Sequence, residues 1–158
     1  MQILCVNYET LILQPILTLV QKMKISRGLR NNNPLNIRRN ATRWKGLSAE
    51  QNDSAFFTFK APCWGYRAAF VTLRNYKRLH GLSTLAEWVN RWAPPVENDT
   101  AGYTAFVARK SGVAQDVVIN PLDKETMCRV VAAMSQMENG VPAKMEDVEE
   151  GWMLSVRN

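Results

Sequence analysis

Punctuation is what most limits how this chain can fold. From Pro62 onward, residues that open helices alternate with residues that close them. Trp64, Ala68, Val71, Tyr76 and Leu79 fall near one helical face, Arg67, Arg74, Lys77 and Arg78 lie mostly off it, and Gly81 stands just past the end. Thr84 and Glu87 have capping-box spacing and open a short helix that stops before Pro94 and Pro95. Asp99 or Asn98 caps another through Ser111, with Gly112 at its boundary. Asp123 caps one running to Asn139, closed by Gly140 and Pro142, and a short acidic helix fits Lys144 to Glu150.

The first half reads differently. Arg27 to Asn33, rich in Asn and Gly, is a loop, and Pro34 keeps Asn33 out of helical geometry. Asn36 to Arg39 and Ala55 to Phe59 are β-like runs flanking the turn-rich stretch Leu47 to Ser54, which predicts a small hairpin. The expected class is α+β, mainly helical. With 158 residues, 46% hydrophobic and 22% charged, the chain has material for one core, and its composition excludes collagen-like and disordered classes.

Residues 23–158 therefore read as a single domain, and residues 1–22 as an N-terminal extension of uncertain role. Its apolar stretch Leu11 to Val20 lacks a basic segment before it and a cleavage site after it, and is interrupted by Pro15 and too short to cross a bilayer. It reads either as a docked amphipathic extension or as an upstream stretch that adds little, with translation starting at Met23. Neither a signal peptide nor a transmembrane segment is expected.

Charge is unevenly spread. Between Leu11 and Ala49 there are eight Lys or Arg and no acid, whereas Asp116 to Asn158 carries eight acids against four bases. Such a basic segment is either a solvated face or a surface for an anionic partner: nucleic acid, lipid headgroups or an acidic wall polymer. Cys5, Cys63 and Cys128 show neither metal-ligand spacing nor an even disulfide count, and read as reduced thiols. His80 is the single histidine, so a zinc site of several histidines is impossible and a Cys-His peptidase would need Cys63 with His80. No metal and no cofactor is implied.

The chemistry points to carboxylates. Met127, Val130, Val131 and Met134 form an apolar stripe on the Asp123 to Asn139 helix, and Glu138 follows on that face. Burial and the negative helix end both favour its neutral form, as a general acid for glycosidic cleavage requires. The alternative is a carboxylate reaching out of a fraying helix end. Glu97, on the loop Trp92-Ala-Pro-Pro-Val-Glu-Asn-Asp-Thr100, is the alternative catalytic group or a sugar contact, while Asp99 reads as a cap. Among Trp44, Trp64, Trp88, Trp92 and Tyr103, most must be core and one or two can line a groove.

Arg27-Gly-Leu-Arg-Asn-Asn-Asn-Pro-Leu-Asn-Ile-Arg38, Trp44-Lys-Gly46, Phe56-Phe-Thr-Phe59, Gly65-Tyr-Arg-Ala68 and the Trp92 to Thr100 loop resemble a family of phages and bacterial mobile elements usually called structural protein or endolysin. The likeness spans about Ile25 to Trp152. The pattern also resembles peptidoglycan glucosaminidases and lytic transglycosylases, with Asn33 to Arg38 similar to their strand-opening motif and Glu97 to Tyr103 to their tyrosine element. Their Glu-bearing helix precedes these motifs; here Val130 to Gly140, which is similar to it, follows them.

The resemblance implies a circularly permuted lysozyme-like domain with Glu138 as acid and Asn33, Asn36, Arg38, Trp64, Trp92 and Tyr103 as substrate contacts. It implies peptidoglycan glycan strands as substrate, cut by hydrolysis or internal transglycosylation. The competing readings are a non-catalytic virion or wall-binding module, which would partner other phage virion proteins, and, last, nucleic-acid binding through the basic segment.

Overall fold

The computed structural model describes residues 25–157, so the N-terminal extension, Cys5 and the alternative start lie outside the described residues. Six helices carry the described part: α1 (Arg27–Arg30), α2 (Pro62–His80), α3 (Leu85–Trp92), α4 (Thr100–Ser111), α5 (Lys124–Asn139) and α6 (Met145–Val156). None is long and apolar enough to cross a membrane.

Local chemistry sets most boundaries. Pro62 opens α2, where its missing N–H costs nothing, and Gly81 closes it in the left-handed region at φ 68°. Thr84 and Glu87 cap α3 reciprocally. Asp99 accepts from Gly102 N on α4, and Asp123 accepts from Glu125 N and Thr126 N on α5. The acidic segment forms a longer helix than Lys144 to Glu150, because Val148, Gly151 and Trp152 give it a buried face.

The core lies between these helices. α6 packs along α2, with Trp152 meeting Phe70 edge-on at 5.3 Å. A Cβ on Gly151 would stand 2.6 Å from Tyr66 Cβ and 2.8 Å from Cys63 O, so glycine sets how closely the two backbones approach. Met127, Val130, Val131 and Met134 of α5 are fully buried in one core cluster with Leu73, Leu85 and Trp88. The face of α2 is broader than Trp64, Ala68, Val71, Tyr76 and Leu79 suggested: Cys63, Tyr66, Phe70 and Leu73 are buried, and Leu79 is exposed.

Two expectations change in the first half. Arg27 to Asn33 is not wholly loop, because Ser26 Oγ accepts from Leu29 N and closes the single turn of α1. The hairpin reduces to the isolated antiparallel bridges Arg38–Phe56 and Leu47–Phe59, so α+β overstates the β content of a mainly helical domain. The physical reason is competition. Phe57 N does bond Ile37 O, but Phe57 O accepts from the Asn33 amide, Thr58 N donates to the Gln51 carbonyl, and Phe59 O accepts from the Asn32 amide. Side chains occupy the groups that a strand ladder would use.

Candidate functional site

The Asn-rich motif is first a piece of carpentry. Asn31 donates to Asp53, which also takes a bidentate pair of bonds from Arg27 at 2.7 Å. The Arg27 guanidinium beside it holds the Asp53 carboxyl well below the usual range, helped by Asn31 and the Ala55 and Phe56 backbone amides. Asn33 is fully buried, accepts from Ile37 N at 2.9 Å, and donates to Ile37 O and Phe57 O. With every polar atom committed, Asn33 shapes the loop from inside and presents nothing to a ligand.

That loop docks onto the C-terminal end of α5. Asn139 donates to Pro34 O at 2.8 Å and to Ser135 O at 2.7 Å, and accepts from Ser26 Oγ at 2.6 Å. Asn36 consequently reaches the last turn of α5. It adopts φ 49°, a left-handed conformation that Asn tolerates, and its amide donates to Glu138 Oε2 at 2.8 Å. From α4, Tyr103 donates its hydroxyl to Glu138 Oε1 at 3.0 Å. Burial and the adjacent carboxylate hold the Tyr103 phenol far above its ordinary range, so it stays protonated and a donor.

Glu138 is half-buried, and none of the three ion pairs among the described residues involves it. It lines a groove of about 490 Å³ together with Asn36, Arg38, Phe56, Trp92 and Glu97. Arg38 and Glu97 pair at 3.1 Å while both stay mostly exposed, and they link the Asn33 to Arg38 loop to the Pro-Pro loop. The Arg27 and Arg38 guanidiniums lie over the Phe56 ring, 4.7 and 5.8 Å from its centre.

The structure thus gathers Asn36, Arg38, Trp92, Tyr103, Glu97 and Glu138. Asn33 stays beneath them in the core, and Trp64 is elsewhere, its ring so close to Gly46 that a Cβ there would collide with it. Asn139 and Ser26 went unread in the sequence, although an Asn directly after the helix-ending Glu was a signal for a clip at that position. Cys63 and His80 stand at opposite ends of α2, about 25 Å apart at 1.5 Å per residue, which removes the Cys-His pair. Cys63 and Cys128 are buried free thiols, and burial pushes the Cys128 thiol up to about 11. Among the described residues, no cluster of three metal-ligating side chains occurs.

Chemically, the arrangement holds one carboxyl in place by two donors at the wall of an aromatic-lined groove, with a second carboxylate on the facing loop. No family model matches the chain. Over 131 residues, which is 80% of this chain and 80% of the relative, it is 40% identical to Protein P5 of Pseudoalteromonas phage PM2.

Proposed function

Because the chain belongs to the family of Protein P5 of Pseudoalteromonas phage PM2, we propose that it serves a phage at the bacterial cell wall, where the Glu138 groove takes a peptidoglycan glycan strand and cleaves it. One observation carries the chemical part of this reading: Glu138 is fixed between Tyr103 and Asn36 at the wall of a groove that also holds Trp92 and Glu97. Fixed there, the carboxyl is placed to pass a proton to the glycosidic oxygen as the sugar C1–O bond breaks, and Tyr103 and Asn36 steady the carboxylate that this leaves. Water or a hydroxyl of the same sugar then adds at C1 and returns its proton to the Glu138 carboxylate, giving hydrolysis or internal transglycosylation. Docking of the Asn33 to Arg38 loop on the end of α5 supports the permuted lysozyme-like arrangement, since it joins motifs from opposite ends of the domain.

A second reading is a non-catalytic virion or wall-binding module that keeps the groove for attachment. The relationship to a phage protein favours it, being independent of any chemistry at Glu138.

The two readings separate on purified peptidoglycan. Cleavage by the unchanged protein, lowered about 10²- to 10⁴-fold in Glu138→Gln with the fold retained, supports the enzyme. Binding without cleavage, unaltered by Glu138→Gln, supports the module. Loss of activity in Glu97→Gln with Glu138→Gln still active moves the acid to the Pro-Pro loop.

A further inference from the structure

The groove does not end at Trp92. A second arm of about 420 Å³ shares Asn36, Arg38 and Trp92 with the first and continues along the outer side of α2 as far as His80. Its chemistry differs from that of the Glu138 arm, which contains two carboxylates. No acidic side chain lines it. Its walls carry the rings of Trp44, Tyr76 and Trp92, and between them the neutral amides and hydroxyl of Asn40, Asn75 and Thr42. Tyr76 and Trp92 meet edge-to-face, 6.4 Å between ring centres, so neither is free to fill the space. Two cationic groups at its edge are engaged: Arg38 with Glu97, and Arg91 with His80 Nε2 at 3.0 Å and over the Tyr76 ring.

Aromatic faces alternating with neutral amides suit a ligand that has apolar C–H faces and many hydroxyl or amide groups but no charge. A polyanion would meet one Arg among the lining side chains, Arg38, already paired with Glu97, and an apolar peptide would strand the amides unpaired. The volume lies within the usual range for small-ligand sites. We propose that this second arm is a binding site for uncharged sugar residues of the same polysaccharide that the Glu138 arm takes. The strand then lies across Trp92 with several residues held beyond the carboxyl. This proposal rests on the reading of the Glu138 groove as a glycan site.

The test measures binding alone. Full-length Glu138→Gln protein is titrated with β-1,4-linked N-acetylglucosamine oligomers of three and of six residues, following tryptophan fluorescence and calorimetry. The six-residue oligomer should bind at least about tenfold more tightly than the three-residue one, and hardly respond to salt. Asn75→Trp, which plugs the arm from the half-buried outer side of α2, should bring the long oligomer down to the affinity of the short one while the short one is unaffected. Should that variant misfold by circular dichroism, the milder pair Asn40→Ala with Asn75→Ala should weaken the long oligomer selectively. Equal affinities for both lengths, or a long oligomer indifferent to these variants, overturns the second arm and leaves the Glu138 arm standing. Steep salt dependence overturns the claim that its ligand is uncharged. Failure of both oligomers to bind overturns both the arm and the glycan reading of the groove.

Discussion

Replacing Asn33 by alanine should cost far more than its single polar side chain suggests. The substitution removes the only partner of Ile37 N and the only partner of Phe57 O among the hydrogen bonds of the described residues, both in the buried interior of the loop. Ile37 O is spared, because Phe57 N still donates to it. Two buried orphans at about 1–3 kcal/mol each give a loss of about 4 kcal/mol, a large part of the 5–15 kcal/mol that holds a domain of this size together. With a urea slope of about 2 kcal/mol per molar, the unfolding midpoint should fall by about 2 M. Asn40→Ala is the control: its exposed carbonyl accepts from Thr42 N in a surface turn, so the change should stay within about 0.5 kcal/mol. Tryptophan fluorescence in urea reads both. A loss below about 1 kcal/mol at unchanged slope refutes the scaffold role. If glycan binding also disappears in that stable variant, Asn33 is a ligand contact after all.

Asp53 predicts an acid limb. Its folded pKa is depressed, so the stability it contributes is present above its unfolded value of about 3.9 and is lost as pH falls toward the folded one; Asp53→Asn should flatten the decline below about pH 4 in thermal melts. Gly151→Ala should destabilise by about 2 kcal/mol, although alanine is the better helix former, because its Cβ would strike α2. Gly81→Ala meets open space and should cost about 1 kcal/mol from its left-handed backbone alone; a stabilised Gly151→Ala protein refutes the close approach of α2 and α6. If the exposed cations Arg39, Arg43 and Lys45 draw the protein to anionic wall polymers, sedimentation with isolated walls should fall steeply with salt. Salt-insensitive wall binding with tight binding to duplex DNA instead points to nucleic acid.

What the sequence made legible was local. The Thr84–Glu87 box, the Asp99 and Asp123 caps and the terminal glycines act within one turn, so spacing alone places them. The apolar stripe of α5 and the position of Glu138 at its end were equally readable, being one helix's own periodicity. What escaped depends on partners far along the chain. Asn33 looks like any exposed polar loop residue until Phe57 closes over it, and the β-like run from Ala55 to Phe59 loses its ladder to amides twenty or more residues upstream. The broad face of α2 was hidden because helices on two sides bury different residues of it, which blurs a single stripe. Of the aromatics, Trp92 and Trp64 have the same propensities, and only tertiary packing separates them: Trp92 lines the groove, whereas the Trp64 ring covers Gly46.

The bond from Asn36 to Glu138 spans 102 positions, and this separation sets a clock. At about 5–20 residues per second of synthesis, roughly 5 to 20 s pass between the appearance of the loop and that of the carboxyl it holds. During that interval Pro34 O and the Asn36 amide have no α5 to meet, and the groove has one wall. Any fragment cut short before α5 therefore carries the loop without the group it was shaped to hold.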